Sequence, residues 1–334
     1  MSGLGWVLSA SIGTLWGLYA TYGLFCGIGT GIVYIGIVGL MVRWFPDARG
    51  FATGVVAAGY GFGAILTTFP IDTMLRSFGY QATLVTFGLI LGLVGMAASF
   101  FLRMPDPTRI RKVVESAAAK SRRDYAPSEM LRSKLFWLLF IMMTMMSTGG
   151  LMVISQFSAF TRDFGVADVV VWGVAALPLA LTVDRITNGL TRPFFGWVSD
   201  RIGRENTMGL AFFLEAAAIA LMLAYRDNAA ALVVLSGLVF FGWGEIFSLF
   251  PSTLTDSFGT SNATTNYGFL YMAQGIGSIL GGPMAALLKE TTGSWVPVFG
   301  LIIAMDVLTA LLALFVLKPM RSTAGAGLAF SPAE

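Results

Sequence analysis

Apolar side chains run along this chain in long, nearly uninterrupted stretches, and short polar breaks separate one stretch from the next. The stretches fall at 3–20, 22–42, 50–70, 82–102, 135–160, 170–197, 207–225, 229–250, 264–287 and 296–317. Each comes close to the roughly 20 apolar residues a helix needs to cross a bilayer, so the pattern predicts an all-α membrane protein of about ten transmembrane helices. RWFPDARG, SDRIGREN and AYRDN mark three of the breaks, combining Pro, Gly and charge where a helix has to stop.

Composition strengthens this reading. Of the 334 residues 56% are hydrophobic and 12% are charged, and the mean hydropathy is +0.77. A soluble domain carries roughly 25% charged residues. Half that charge cannot cover a water-facing surface, so lipid must cover it. Forty glycines and 17 methionines suit close packing of helix backbones. Cys26 is the single cysteine and histidine is absent, which excludes an internal disulfide, a Cys-based zinc site and a histidine proton shuttle. The first 42 residues carry no charge; with no basic n-region, no cleavable signal peptide is expected.

The basic residues set an expected orientation. Segments 43–49, 103–134, 198–206, 251–263 and 318–334 together hold 15 of the 21 lysines and arginines. The opposite loops hold Arg76, Arg162, Arg226 and Lys289, while Arg185 and Arg192 lie inside a span. The first set is therefore expected to be cytoplasmic in an inner (plasma) membrane. The basic run from Arg103 to Lys134 reads as a linker beside anionic headgroups, not as a nucleic-acid arm.

That linker divides the chain into an expected partial N-terminal helix bundle (1–102, about four spans), the linker (103–134), a C-terminal six-helix bundle (135–317) and a cytoplasmic tail (318–334). The two parts echo each other. WFPDARG is followed by a helix with GYGFGAIL, and LFPSTLTDS by a helix with YGFLYMAQGIGSILGG. Repeated bundles around a midplane site are an architecture of secondary transporters.

GWVSDRIGR, between the second and third spans of the later part, resembles the G-x-x-x-D-R-x-G-R signature of the major facilitator superfamily. The earlier part has no counterpart to it. VRWFPDARGFATGVVAAGYGFGA, NGLTRPFFGWVSDRIGREN and NYGFLYMAQGIGSILGGP resemble the oxalate:formate antiporter family, and the resemblance covers nearly the whole chain. It implies a major facilitator fold with about 10 of an expected 12 helices present. On that expectation Met1 lies inside the third helix, and the chain as given does not transport while an N-terminally extended form does. A genuine ten-helix protein is the alternative.

The resemblance implies a secondary active transporter that moves small organic anions, mono- or dicarboxylates such as formate or oxalate, by alternating access. The implied partners are the anion, a counter-anion or proton, and membrane lipid; the chain is expected to act as a monomer without nucleic acid or cofactor. It also implies substrate-binding positions: Tyr34, Tyr60, Arg192, Trp243, Phe247 and Tyr271. Where the oxalate carriers have a lysine, this chain has Gln274. One cation in place of two suits a monoanion better than a dianion in a dry cavity.

Depth supports the same set. Tyr34, Tyr60, Arg192, Trp243 and Gln274 each lie roughly 7 to 11 residues from the cytoplasmic end of their spans, which places them in one layer near the midplane. An intramembrane arginine costs at least about 2.5–3.5 kcal/mol, so Arg192 is expected to face the interior and bind a carboxylate. Arg185, about two turns deeper, is a further candidate, with a structural salt bridge as the competing role. In the signature loop, Gly196, Asp200, Arg201, Gly203 and Arg204 form an expected conformational switch. There Asp200 caps a helix start, and Arg201 and Arg204 pair with acids.

Glu215, Glu245 and Asp306 are buried-looking acids for which interhelical pairs with arginines are expected. GIGTG and GYGFG imitate phosphate loops, but neither follows a strand or precedes GK[ST], so close helix packing is expected of both. With no nucleophile–base pair and no metal cluster, an enzyme is not expected. The competing function is an inactive fragment or a non-transporting membrane sensor.

Overall fold

The computed structural model describes residues 1–106 and 124–322. Most of the basic linker and the end of the tail therefore lie outside the described residues. Ten helices are found among those described: α1 (Ser2–Ser9), α2 (Leu15–Trp44), α3 (Arg49–Ser99), α4 (Pro127–Leu131), α5 (Lys134–Asp163), α6 (Ala176–Ile202), α7 (Arg204–Ala224), α8 (Ala229–Phe258), α9 (Ala263–Thr292) and α10 (Val296–Ser322).

Four boundaries differ from the hydropathy pattern. The first turn falls at residues 10–14, not at 20–22, because Thr14 caps the start of the second helix by accepting from the Gly17 N–H at 3.2 Å. The apolar run through 15–26 then continues as helix, with a π-helical stretch at Tyr19–Cys26. In α3, helix persists past residue 70 and breaks only at Gly79, whose φ of 77° only glycine adopts at little cost. Residues 170–175, expected at the start of a span, form a two-stranded hairpin, Val170–Val171 with Val174–Ala175. Its turn holds Gly173 at φ 85°, which halts the helix pattern there. Finally, α8 runs on to Phe258, so the expected loop 251–263 shrinks to a turn at 259–262.

Six helices are long and apolar enough to cross a membrane; α6 and α9 are not among them. Those two carry Asp184, Arg185 and Arg192, and Asn266, Gln274 and Lys289. Asp184, Arg192 and Asn266 are buried, so part of the polarity that lowers the hydropathy of these helices is spent on an interior face. Of the six, α8 has the most buried apolar window and α3 the least. The hydroxyls of α8 bond back along the helix, Ser252 to Ser248 O at 2.6 Å and Thr253 to Leu249 O at 2.6 Å. This pattern satisfies polar side chains inside an apolar bundle. Around α8 the core is built from Met142, Met143, Met146, Phe157, Phe212 and Phe250, each at most 1% exposed.

The segments sorted by charge meet at one end of the bundle. Arg43 donates to the carbonyls of Thr260 (3.2 Å) and Ser261 (2.8 Å). Asp124 accepts from the Ser261 hydroxyl at 2.6 Å, and Lys318 donates to Asn206 at 2.9 Å. At the other end, Lys289 pairs with Asp163 at 3.0 Å.

Candidate functional site

Five helices converge on one cluster of rings around a single buried cation. Arg192, on α6, is 8% exposed. Its guanidinium lies 4.5 Å from the Phe247 ring centroid on α8, donates to Asn188 Oδ1 at 2.6 Å, and reaches across to the Ala57 carbonyl of α3. No carboxylate forms a salt bridge with it among the described residues, and its Nε has no hydrogen-bond partner. A buried guanidinium with donor capacity to spare and no anion is a half-built ion pair.

The rings continue from Phe247 through α9 to the helices that precede the linker. Phe247 and Tyr271 have centroids 6.5 Å apart, Tyr271 and Tyr34 5.2 Å, and Tyr34 and Tyr60 5.0 Å. Trp243 packs edge-on against Phe247 at 5.6 Å, and its indole N–H donates to the Met146 carbonyl of α5 at 2.9 Å. The tyrosines therefore present hydroxyls near a cation while their rings exclude water. Tyr34 and Tyr267 face one another, and neither hydroxyl finds a partner of ordinary hydrogen-bond geometry. Buried polar atoms left open in one place mark where a ligand could complete them.

Six of the eight expected binding residues thus share one connected cluster. Gln274 stands one turn beyond Tyr271 on α9, half-buried, with its amide oxygen unpartnered. Arg185 is not in the cluster: it is exposed and donates to Thr68 of α3 at 2.8 Å. Tyr267 and Asn188 are additional members. Each lies four residues before a recognised one, Tyr271 and Arg192, and the i,i+4 spacing on a helix was the available signal.

The seam between α3 and α6 is lined by small residues. A Cβ on Gly54 would stand 2.2 Å from the Arg192 carbonyl oxygen, and one on Gly196 would stand 2.1 Å from Gly50 O. Glycine at these positions lets the two backbones touch. Within the expected packing motifs, a Cβ on Gly29 would stand 2.5 Å from Ser2 N and one on Gly61 3.3 Å from Gly189 Cα, while Gly27, Gly31, Gly59 and Gly63 face open space.

At the linker end an ion network ties α3 to α6, α7 and α8. Asp200 accepts from the backbone N–H groups of Gly50 (3.0 Å) and Phe51 (2.9 Å), at the start of α3. Free amides at a helix start attract a carboxylate. Arg204 grips Asp200 at 2.6 Å and Asp256 at 2.9 Å, and Arg49 reaches Asp256 from α3 at 2.9 Å. Arg321 bonds Glu205. Gly203, at φ 92°, supplies the turn that joins α6 to α7. Arg201 departs from expectation: its guanidinium lies 3.6 Å from the Trp197 ring centroid instead of on an acid. The cation–π contact occupies it on its own helix face.

The acids Glu215, Glu245 and Asp306 also depart from expectation. Each is fully buried, and none forms an ion pair with an arginine among the described residues. Their helices bring apolar side chains and one another: Arg204 and Arg321 are bonded to other acids and Arg185 to Thr68, while Arg192 forms no salt bridge among the described residues. No metal-holding group of His, Cys, Asp and Glu is found among the described residues.

Comparison with known proteins identifies the family and the fold. The sequence profile described as Major Facilitator Superfamily matches residues 1–183 and again 160–330. The chain is 33% identical to the oxalate:formate antiporter of Oxalobacter formigenes, over 99% of this chain and 76% of that one. It is 24% identical to monocarboxylate transporter 13 of Bos taurus, over 90% of this chain and 67% of that one. In fold it is similar to the Escherichia coli fucose:proton symporter, with a TM-score of 0.65 at 15% identity, covering 96% of this chain and 81% of the other. These relatives are multi-pass membrane transporters, not enzymes. The chain belongs to the major facilitator superfamily, within the oxalate:formate antiporter family.

Proposed function

We propose that the protein is a secondary transporter of small carboxylates, in which Arg192 binds the carboxylate and the helices before the linker rock against those after it. The observation that carries this reading is Arg192 itself: a buried cation that forms no salt bridge among the described residues, in a cage of aromatics drawn from both parts of the chain. Burying a charge costs several kcal/mol unless something compensates it, so an arginine kept unpaired is matched to a mobile anion. In alternating access, the ion network of Asp200, Arg204, Asp256 and Arg49 closes the cytoplasmic end and breaks when the site turns inward.

Charge count favours a monocarboxylate. With Gln274 in place of a second cation, one negative charge neutralises the site, and a second is left unpaired in a medium of low dielectric. Formate and small 2-oxo or hydroxy acids fit this count. The relatives named above, an oxalate:formate antiporter and a monocarboxylate transporter, support the substrate class. Titration calorimetry of the purified chain with formate tests it. Saturable binding that disappears in Arg192→Gln supports the reading; equal heats from both proteins overturn it.

A further inference from the structure

Glu215 on α7, Glu245 on α8, at a turn of residues 244–245 that interrupts the helix, and Asp306 on α10 are each 0% exposed. All six carboxyl oxygens lack a hydrogen-bond partner. The three are also neighbours. Glu215 interacts electrostatically with both Asp306 and Glu245, and Glu245 with Asp306. The packing leaves them no escape: a Cβ on Gly242 of α8 would stand 2.7 Å from Glu215 Cβ, and one on Gly149 of α5 would stand 3.5 Å from Asp306 Oδ1.

The charged groups around them are few. Arg192, on α6, acts on Glu245 and on neither of the others. Asp184, also on α6, faces Ser236 of α8. Arg185 bonds Thr68. Among the described residues, the remaining charged side chains of α5, α7, α9 and α10 lie at helix ends.

Three carboxylates in one dry space, opposed by one arginine, cannot all be ionised. Placing each charge there costs several kcal/mol, and like charges add repulsion. A positive charge must be held among them, and a proton is the one that needs no coordinating geometry. We propose that Glu215, Glu245 and Asp306 form a proton-binding site, separate from the aromatic cluster, which keeps at most one negative charge and sets it on Glu245, beside Arg192.

A link to the anion follows, and it rests on the function proposed above. Arg192 favours the ionised form of Glu245. An anion bound on Arg192 offsets that attraction, so Glu245 takes up a proton from water, and by reciprocity a lower pH strengthens anion binding.

Infrared spectroscopy of the purified chain in detergent at neutral pH reads the site directly, because neutral carboxyls absorb apart from carboxylates. A neutral-carboxyl band that loses intensity in Glu215→Gln and, independently, in Asp306→Asn is the expected result. The helical amide band of the same spectrum reports folding, and either variant suffices if the other misfolds. Unchanged bands in the folded variants overturn the site, as does a band that appears only when sodium is withheld, which would make the ligand a metal cation. Added formate should increase the neutral-carboxyl band in the wild type and not in Glu245→Gln. Failure of formate to bind while the band losses persist refutes the carboxylate reading and leaves the proton site standing.

Discussion

Tyr34 and Tyr271 pack with ring centroids 5.2 Å apart, and this contact joins a helix that precedes the linker to one that follows it. Tyr34 is 4% exposed and its hydroxyl has no partner of ordinary geometry. If that hydroxyl completes the coordination of a carboxylate, Tyr34→Phe keeps the ring stack and loses one hydrogen bond, about 1 kcal/mol. Formate binding measured by calorimetry should then weaken about fivefold to tenfold with little change in thermal stability. A loss of stability without a loss of affinity would make Tyr34 a packing residue.

Asp200 is held by two backbone amides of α3 and by Arg204. Asp200→Asn removes the charge while keeping the shape, and it leaves Arg204 partly unpaired. Breaking a buried pair from one side costs on the order of 3–5 kcal/mol, so the linker end should open. A cysteine at Ser248, fully buried in the intact protein, should then become reactive to a thiol reagent applied from that end. Unchanged protection in the variant would show that the network is not the closure.

Gly196 meets Gly50 so closely that a methyl group on it would stand 2.1 Å from the Gly50 carbonyl oxygen. Gly196→Ala must push α3 and α6 apart, and overpacking of this kind costs typically about 1–3 kcal/mol. A lower unfolding temperature in detergent is expected, with an enlarged effect for valine. Equal stability would mean that the seam yields freely.

Segments rich in lysine and arginine meet at one end of the bundle, and the sign of the bias predicts that this end faces the cytoplasm. With Cys26 replaced by serine, cysteines at Ser261 and Ser294 should label from opposite faces of sealed vesicles. Labelling of both from the same side contradicts this orientation.

Much of this was legible in the sequence, for physical reasons that can be named. A run of apolar residues has one stable fate in lipid, so most spans followed from length alone. Arg192 was legible because a charge inside such a run is costly unless it faces inward, but Arg185 in the same run is exposed, so the rule alone did not sort the two. The break in α3 was not, since hydropathy does not register that Gly79 alone can take φ 77°. Nor was the unpaired state of Glu215, Glu245 and Asp306, because a sequence shows which charges exist but not which arginines other partners have already claimed. Arg204 goes to Asp200 and Asp256, and Arg201 to Trp197.

Gln274 tests the charge count. If a second cation is what a dianion requires, Gln274→Lys should raise affinity for oxalate relative to formate by at least about tenfold, the effect of roughly 1.4 kcal/mol. Competition between the two anions in the wild type and the variant reads this ratio. A wild type that already prefers oxalate would show that another cation, with Arg185 the first suspect, supplies the second charge.

The most direct measurement compares formate binding by the wild-type chain with that of Arg192→Gln. The substitution retains hydrogen-bonding capacity beside Asn188 and Phe247 but removes the only cation facing the aromatic cluster among the described residues. Losing the charged partner of a buried carboxylate costs at least about 2 kcal/mol, so affinity should fall by a factor of roughly 30 or more while the protein stays folded. Formate binding of undiminished affinity in the folded variant would contradict the account.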